Sequence, residues 1–175
     1  MNNRDIMNML MQETYKWIVG QRSVYGMRAK RIGGADRERL LPYFKSRVLD
    51  SARVALVGRI DNPPFYPRLK DLGLSVIDFR EMDGITFVDC ILMSKAVQRS
   101  DKDRLSILFH EMVHVVQYRY LGVRRFLEEY LAGWIKNRRD YSSIPLEKQA
   151  YDLQRRFDRG ERFSVESKLG IFFLF

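Results

Sequence analysis

The sequence predicts an α+β protein: a small mixed sheet packed against a helix that carries His110-Glu111-Met112-Val113-His114, with further helices N- and C-terminal to that unit. Three observations predict it. Two runs rich in aliphatic and β-branched residues, Arg53 to Ile60 and Ile85 to Met93, suit strands on a pleated, half-buried surface. A longer stretch, from about residue 101 to 121, has helical periodicity and is punctuated at both ends. The segments at either end of the chain space their apolar residues for helices.

In chain order, residues 4 to 18 read as a helix with Ile6, Leu10, Trp17 and Ile18 toward one face. A basic stretch ends at Gly33-Gly34, and a short helical segment follows from Glu38 to Leu49. The strand Arg53 to Ile60 closes on the turn-forming Asp61-Asn62-Pro63-Pro64. A helical turn over Pro67 to Leu72, stopped at Gly73, and a short strand over Leu74 to Phe79 lead to Gly84, which opens the second definite strand. Ser100-Asp101-Lys102-Asp103 has the serine-x-x-acid form of a capping box, and Gly122 supplies the stop. A second helix spans Arg124 to Lys136, Arg138 to Ser143 is a polar loop, and Pro145 sits in the first turn of a third helix running to about Phe157. The apolar tail, Leu169 to Phe175, reads as a terminal strand or core plug.

With 175 residues, 46% of them hydrophobic, the chain is long enough to bury one core. The expected organisation is a single domain: a helical segment 1–49, a core 50–158 and a tail 159–175. The formal charge of +9 admits an anionic partner, but the charges are scattered and acids are interleaved among them. The densest spots, Arg28, Lys30 and Arg31 and the pair Arg138, Arg139, form no strong nucleic-acid motif. Cys90 is the sole cysteine, which excludes a disulfide framework within the chain and a cysteine-based zinc knuckle; it lies in an apolar run and reads as a small core residue. Residues 1 to 18 lack the apolar region of a signal peptide, and no transmembrane segment is evident, so a cytoplasmic chain is expected.

His110 and His114 are the only histidines. Residues four apart on a helix differ by about 40° around the axis and one turn along it, so both imidazoles can reach one ion. Glu111 points to one side of that pair, placed to act on a metal-bound water. Two ligands do not hold zinc, and a catalytic site needs a third protein ligand and an open position. With no further histidine and one cysteine, that ligand is a carboxylate. Glu128 and Glu129 come too soon in the chain. Glu147 begins a new helix after a full excursion, on the strip beside the Leu146, Ala150, Leu153 and Phe157 stripe. Its other possible role is that of a first-turn acid against the helix dipole, and Asp140, Asp152 and Asp158 stand as alternative ligands.

The segment His110 to Gln117, followed by Ile144-Pro145-Leu146-Glu147-Lys148-Gln149-Ala150-Tyr151, resembles the gluzincin branch of zincin metallopeptidases. It is most similar to short bacterial zincin-like domains with a glutamine three residues past the second histidine and a later proline-x-glutamate-x-x-alanine-tyrosine helix. The likeness covers roughly residues 50 to 158. It implies a zincin-like fold, Zn2+ held by His110, His114 and Glu147, and Glu111 as general base. It also implies that the 85 to 93 strand is the sheet edge beside which an extended peptide lies. The metzincin pattern does not fit, since it wants glycine and histidine where this chain has Gln117 and Tyr120. Where the thermolysin pattern has an aspartate four residues after its glutamate, this chain has Tyr151, which leaves the partner of the first histidine unassigned.

The expected function is therefore a zinc metalloendopeptidase acting on a peptide or protein substrate. Glu111 takes a proton from the zinc-activated water and delivers it to the leaving amine. Tyr151, one turn beyond Glu147, and Tyr141 in the preceding loop are the candidate oxyanion donors, and Gln117 is a candidate to orient a histidine. The rival expectation is a non-catalytic zincin-like module that offers its edge strand or basic surface to a partner.

Overall fold

The structure, a computed structural model, describes residues 3–73, 76–95, 100–136 and 141–173. Helices α1 (Asn3–Gly26), α2 (Gly34–Leu40), α3 (Ser46–Ser51), α4 (Tyr66–Asp71), α5 (Asp101–Lys136), α6 (Pro145–Asp158) and α7 (Val165–Phe173) surround four short strands. These are β1 (Lys30–Arg31), β2 (Arg53–Val57), β3 (Gly84–Phe87) and β4 (Cys90–Ser94), in the spatial order β1-β2-β4-β3. The sheet is mixed: β2 and β4 run parallel, while β1 and β3 are antiparallel to their neighbours and form its two edges. The α+β expectation therefore holds.

The alternation of side chains along a strand assigns the two faces of this sheet. Cys90 and Leu92 join Phe87, Ala55 and Val57 in a cluster with Trp17 and Ile18 of α1. Ile91 and Met93 point the other way, into a cluster with Leu105, Leu108, Met112 and Val116 of α5. The sheet is thus sandwiched, α1 on one face and α5 on the other. Nearly every residue of α5 from Leu105 to Tyr118 is buried, because α6, α2, α3 and α7 close over the side that the sheet leaves open.

Helix α5 starts where its capping box predicts: Ser100 Oγ accepts from the Asp103 backbone N–H at 3.1 Å. It leaves helical geometry at Gly122 (φ 71°, ψ 164°), so its two arms match the two helices expected on either side of that glycine. Helix α6 begins at Pro145, also as expected.

Several elements depart from expectation. Helix α1 continues through Gly20 to Gly26, held on the sheet by a two-pronged Arg22–Asp89 ion pair at 2.6 and 2.7 Å. The Glu38 to Leu49 segment is two helices. Pro42 lacks an N–H to continue the first, and the chain instead turns Tyr43 and Phe44 into the core before α3. Strand β2 ends at Val57, ahead of a bend at Gly58-Arg59. Within the Leu74 to Phe79 stretch, Leu74 and Ser75 lie outside the described residues, and 76–78 form no strand. Asn62 there bonds the Asp78 carboxylate and the Phe79 N–H, and Phe79–Glu81 is a 3-10 turn capped by Asp78.

The expected Ile85 to Met93 strand is a hairpin, β3 and β4 joined at Val88-Asp89 with Phe87 opposite Cys90. Val88 takes φ 64°, which costs a β-branched residue energy. As far as Phe173 the tail is helical rather than a strand: it belongs to α7, which buries Val165 and Leu169 in the core, and 174–175 lie outside the described residues. Arg138 and Arg139 lie outside the described residues, as does Asp140. Cys90 is a free, buried core residue whose thiol burial pushes up to about 11. Among the described residues, no helix is long and apolar enough to cross a membrane.

Candidate metal centre

The first arm of α5 places His110 and His114 one turn apart, and α6 crosses it so that Glu147, in its first turn, reaches both. The start of α6 also lies close against the second arm of α5 at Gly133, where a Cβ would stand 2.6 Å from Pro145 Cδ. The three side chains are buried, and their ligand atoms converge. Glu147 Oε2 lies 3.2 Å from His110 Nε2 and 3.4 Å from His114 Nε2, and the two Nε2 atoms are 3.1 Å apart.

The hydrogen bonds around this triangle decide which atoms carry protons. Gln154 gives its amide N–H groups to Ser106 O and Oγ, at 3.2 and 2.9 Å, so its Oε1 faces His110 Nδ1 at 3.0 Å. Gln117 likewise gives its amide to Leu146 O and Gln149 Oε1, and its Oε1 faces His114 Nδ1 at 2.7 Å. Each Nδ1 must therefore donate, which in a neutral ring leaves the Nε2 lone pair bare. Two such lone pairs and a carboxylate oxygen within 3.4 Å of one another repel unless a cation, proton or metal, lies among them. The donor set fits a metal: tetrahedral ligands at about 2.0–2.1 Å from an ion are about 3.3–3.4 Å apart. Glu147 Oε1 faces away and accepts from Tyr130 and Tyr141 at 3.0 and 2.7 Å, so one carboxylate oxygen is reserved for the centre. Burial, reinforced by Glu147, lifts both phenols well above their ordinary range and keeps them donors.

Glu111 stands beside the triangle. Its Oε2 accepts from Thr86 Oγ1 at 2.7 Å, and a Cβ on Gly84 would meet its Oε1 at 2.7 Å, so the edge strand β3 both holds and makes room for it. Burial raises its proton affinity, against the pull of His110, His114 and the Thr86 bond. At His114 burial opposes the charged form, but the Glu147 carboxylate outweighs it and lifts the group to about 9. Burial likewise resists ionisation of Glu147, and the two histidines overcome it, holding the carboxyl well below its usual range.

Of the residues singled out in the sequence, His110, His114 and Glu147 come together, with Glu111 beside them and Gln117 on His114. Tyr141 bonds Glu147, while Tyr151 lies against the His110 ring, centroids 4.5 Å apart. The alternative ligand Asp152 pairs with Arg155 at the surface, and Asp158 accepts from Ser106. Glu128 and Glu129 are engaged with Arg124 and Arg125 on the outer side of α5. Sequence reasoning missed Gln154, Tyr130, Thr86 and Gly84. Gln154 was findable, since it stands seven residues, two helical turns, after Glu147 on the same strip of α6.

No family model, curated protein or solved structure matches the chain. A cavity of about 100 Å3 extends from Glu111, His114 and Glu147 between β3, α1 and the second arm of α5, with Trp17, Phe87, Phe126 and Trp134 in its walls.

The protonation pattern has a measurable consequence. His114 in the metal-free fold has a value, about 9, above the unfolded one of about 6.5. Its pairing with Glu147 therefore stabilises the metal-free fold fully below pH ~6.5 and is lost as pH rises through ~9. The metal-free unfolding temperature is expected to fall over that window. The metal-loaded form, in which His114 has already given up its proton, should not follow, and its metal affinity should rise over the same window. Parallel thermal melts with and without metal check this.

Proposed function

We propose that this chain is a zinc-dependent metallopeptidase of the gluzincin type, with a zincin-like arrangement of sheet and helices, hydrolysing peptide bonds in a peptide or protein substrate. The observation that supports it most is the triangle of His110 Nε2, His114 Nε2 and Glu147 Oε2 at 3.1 to 3.4 Å, with both Nδ1 atoms held as donors by glutamines. Two imidazoles and one carboxylate make a donor set suited to zinc in a catalytic rather than a structural site, since a fourth position stays open.

Zinc bound there supplies a Lewis acid that acidifies a water molecule. Glu111, with Oε2 anchored on Thr86, is the carboxylate that would accept a proton from the attacking water and hand it to the leaving amine nitrogen. Its burial favours the protonated intermediate stage, because the charge it must regain is poorly solvated. Gln154 and Gln117 hold the imidazoles in register, and Tyr130 and Tyr141 hold Glu147 to one oxygen. Tyr151, whose ring packs on that of His110, is the phenol we assign as donor to the substrate oxyanion. Strand β3 is a sheet edge adjoining Glu111, which suits an extended peptide laid beside it.

The test is elemental analysis with a peptide-cleavage assay on wild type and Glu111→Gln. The variant is expected to retain near-stoichiometric zinc while cleavage falls by about 10²–10⁴-fold, the usual worth of a positioned general base. Wild type that binds no zinc, or a variant that cleaves as well as wild type, would overturn the reading.

A further inference from the structure

The other edge of the sheet carries a second feature, which the metal centre does not use. Between β1, β2 and the start of α5 runs an open groove of about 650 Å3. Its floor is apolar: β2 turns Leu56 into it, 61% exposed, beside the half-buried Val54 and the buried Leu108. Its rim is basic, with Arg28, Lys30, Arg31 and Arg59 around the opening. The one acid in the lining, Asp36, is taken by Arg104 in a two-pronged pair at 2.6 and 2.8 Å. Among the described residues none of the four rim cations forms an ion pair, and Arg28 lies over the Tyr25 ring at 4.4 Å.

We propose that this groove docks an acidic polypeptide segment in extended form, with apolar residues on Leu56 and carboxylates on the rim. Three features of the place select that partner. The charge is of one sign and concentrated where a bound segment's side chains would lie, so carboxylates gain Coulomb energy and are steered in. The floor demands an apolar residue, since an aliphatic side chain as exposed as Leu56 gains from being covered. Strand β1 ends the sheet, so one side of its backbone has no strand neighbour and can add an extended segment. A single-stranded nucleic acid fits less well, because its bases need aromatic faces to stack on. The groove offers only Tyr25, already covered by Arg28. The edges β1 and β3 are separated by β2 and β4, about 14 Å at the usual strand spacing. The docking surface therefore neither borrows nor blocks the metal triangle, and it stands whether or not zinc is bound there.

The experiment is fluorescence anisotropy on the full chain with four labelled probes: a ten-residue peptide alternating glutamate with leucine or valine, the same peptide with lysine for glutamate, the same with serine for the apolar residues, and an oligouridylate. The acidic-apolar peptide is expected to bind best, with affinity falling as salt is raised. Lys30→Glu combined with Arg31→Glu should weaken it about tenfold, the scale of two exposed charge pairs reversed. Leu56→Ser should weaken it several-fold and leave the salt dependence in place. Arg59→Glu, in the bend after β2 rather than in a strand, gives a second charge reversal that does not touch the sheet ladder, and a thermal melt of each variant identifies any that fails to fold. Equal binding of the serine peptide or of the oligouridylate would reduce the groove to a general polyanion surface and overturn the proposal. So would affinity unchanged in folded variants.

Discussion

Glu147→Ala is expected to strip the centre of its metal: affinity should fall by more than the ~10–100-fold that follows loss of a residue that only orients a ligand. The same change should destabilise the metal-free fold. It leaves the Tyr130 and Tyr141 hydroxyls, now bonded to Glu147 Oε1 at 3.0 and 2.7 Å, without their acceptor, and each buried unpaired group costs about 1–3 kcal/mol. It also removes the anion that the His114 imidazolium faces. Glu147→Gln separates the two effects, because the amide oxygen still accepts from the phenols while the charge is gone. Elemental analysis and thermal unfolding of both variants should show metal binding impaired in each but most of the stability lost only in the alanine form. Stoichiometric, tightly held metal in Glu147→Ala would show that the ligand set is other than this one.

Gly133→Ala should produce the second large effect, at a residue that touches no ligand. A methyl there would sit 2.6 Å from Pro145 Cδ and 3.4 Å from Ile144 Cγ2, and a proline ring at a helix start has little freedom to yield. Alanine gains about 1 kcal/mol of helix propensity over glycine, but overpacking of this kind costs about 1–3 kcal/mol. The net expectation is a less stable protein with weaker metal binding, since the start of α6 carries Glu147 outward with it. Gly20→Ala is the matched control: no atom lies within 4 Å of the added carbon in α1, so only the propensity gain remains and the melting temperature should rise. A Gly133→Ala protein at least as stable as wild type would mean that α6 is free to adjust.

The centre was largely legible in the sequence because its parts are helical and helical spacing is periodic. His110, His114 and Gln117 fall on one stripe of α5, and Glu147 follows from its place in the first turn of a helix opened by Pro145. Ser100 and Gly122 marked their boundaries by local chemistry that needs no partner elsewhere. What was not legible depends on residues far apart in the chain. The Val88-Asp89 turn has none of the glycine or asparagine that ordinarily signals a hairpin. Arg22 of α1 clamps the Asp89 side chain, and Arg53 N–H bonds its carbonyl at 2.8 Å, so tertiary bonds hold the turn where sequence preference does not. Tyr130 resembles any apolar-face tyrosine until the second arm folds back and aims its hydroxyl at Glu147. Thr86 and Gly84 acquire their roles only once Glu111 is laid against β3.

The bend at Gly122 sets an order in time. His110 and His114 share a helical turn and become neighbours as soon as that turn forms, on the sub-microsecond scale of helix growth. Glu147 arrives 37 residues after His110, and only when the chain has changed direction at Gly122, completed a second arm and returned across the first. Closing so long an excursion is slow compared with growing a helix. An ion met early in folding would therefore find two nitrogens, whereas one met after the α5–α6 crossing is made would find all three side chains. Retained metal would then report that the long-range α5–α6 crossing has formed, which the helicity of α5 alone does not.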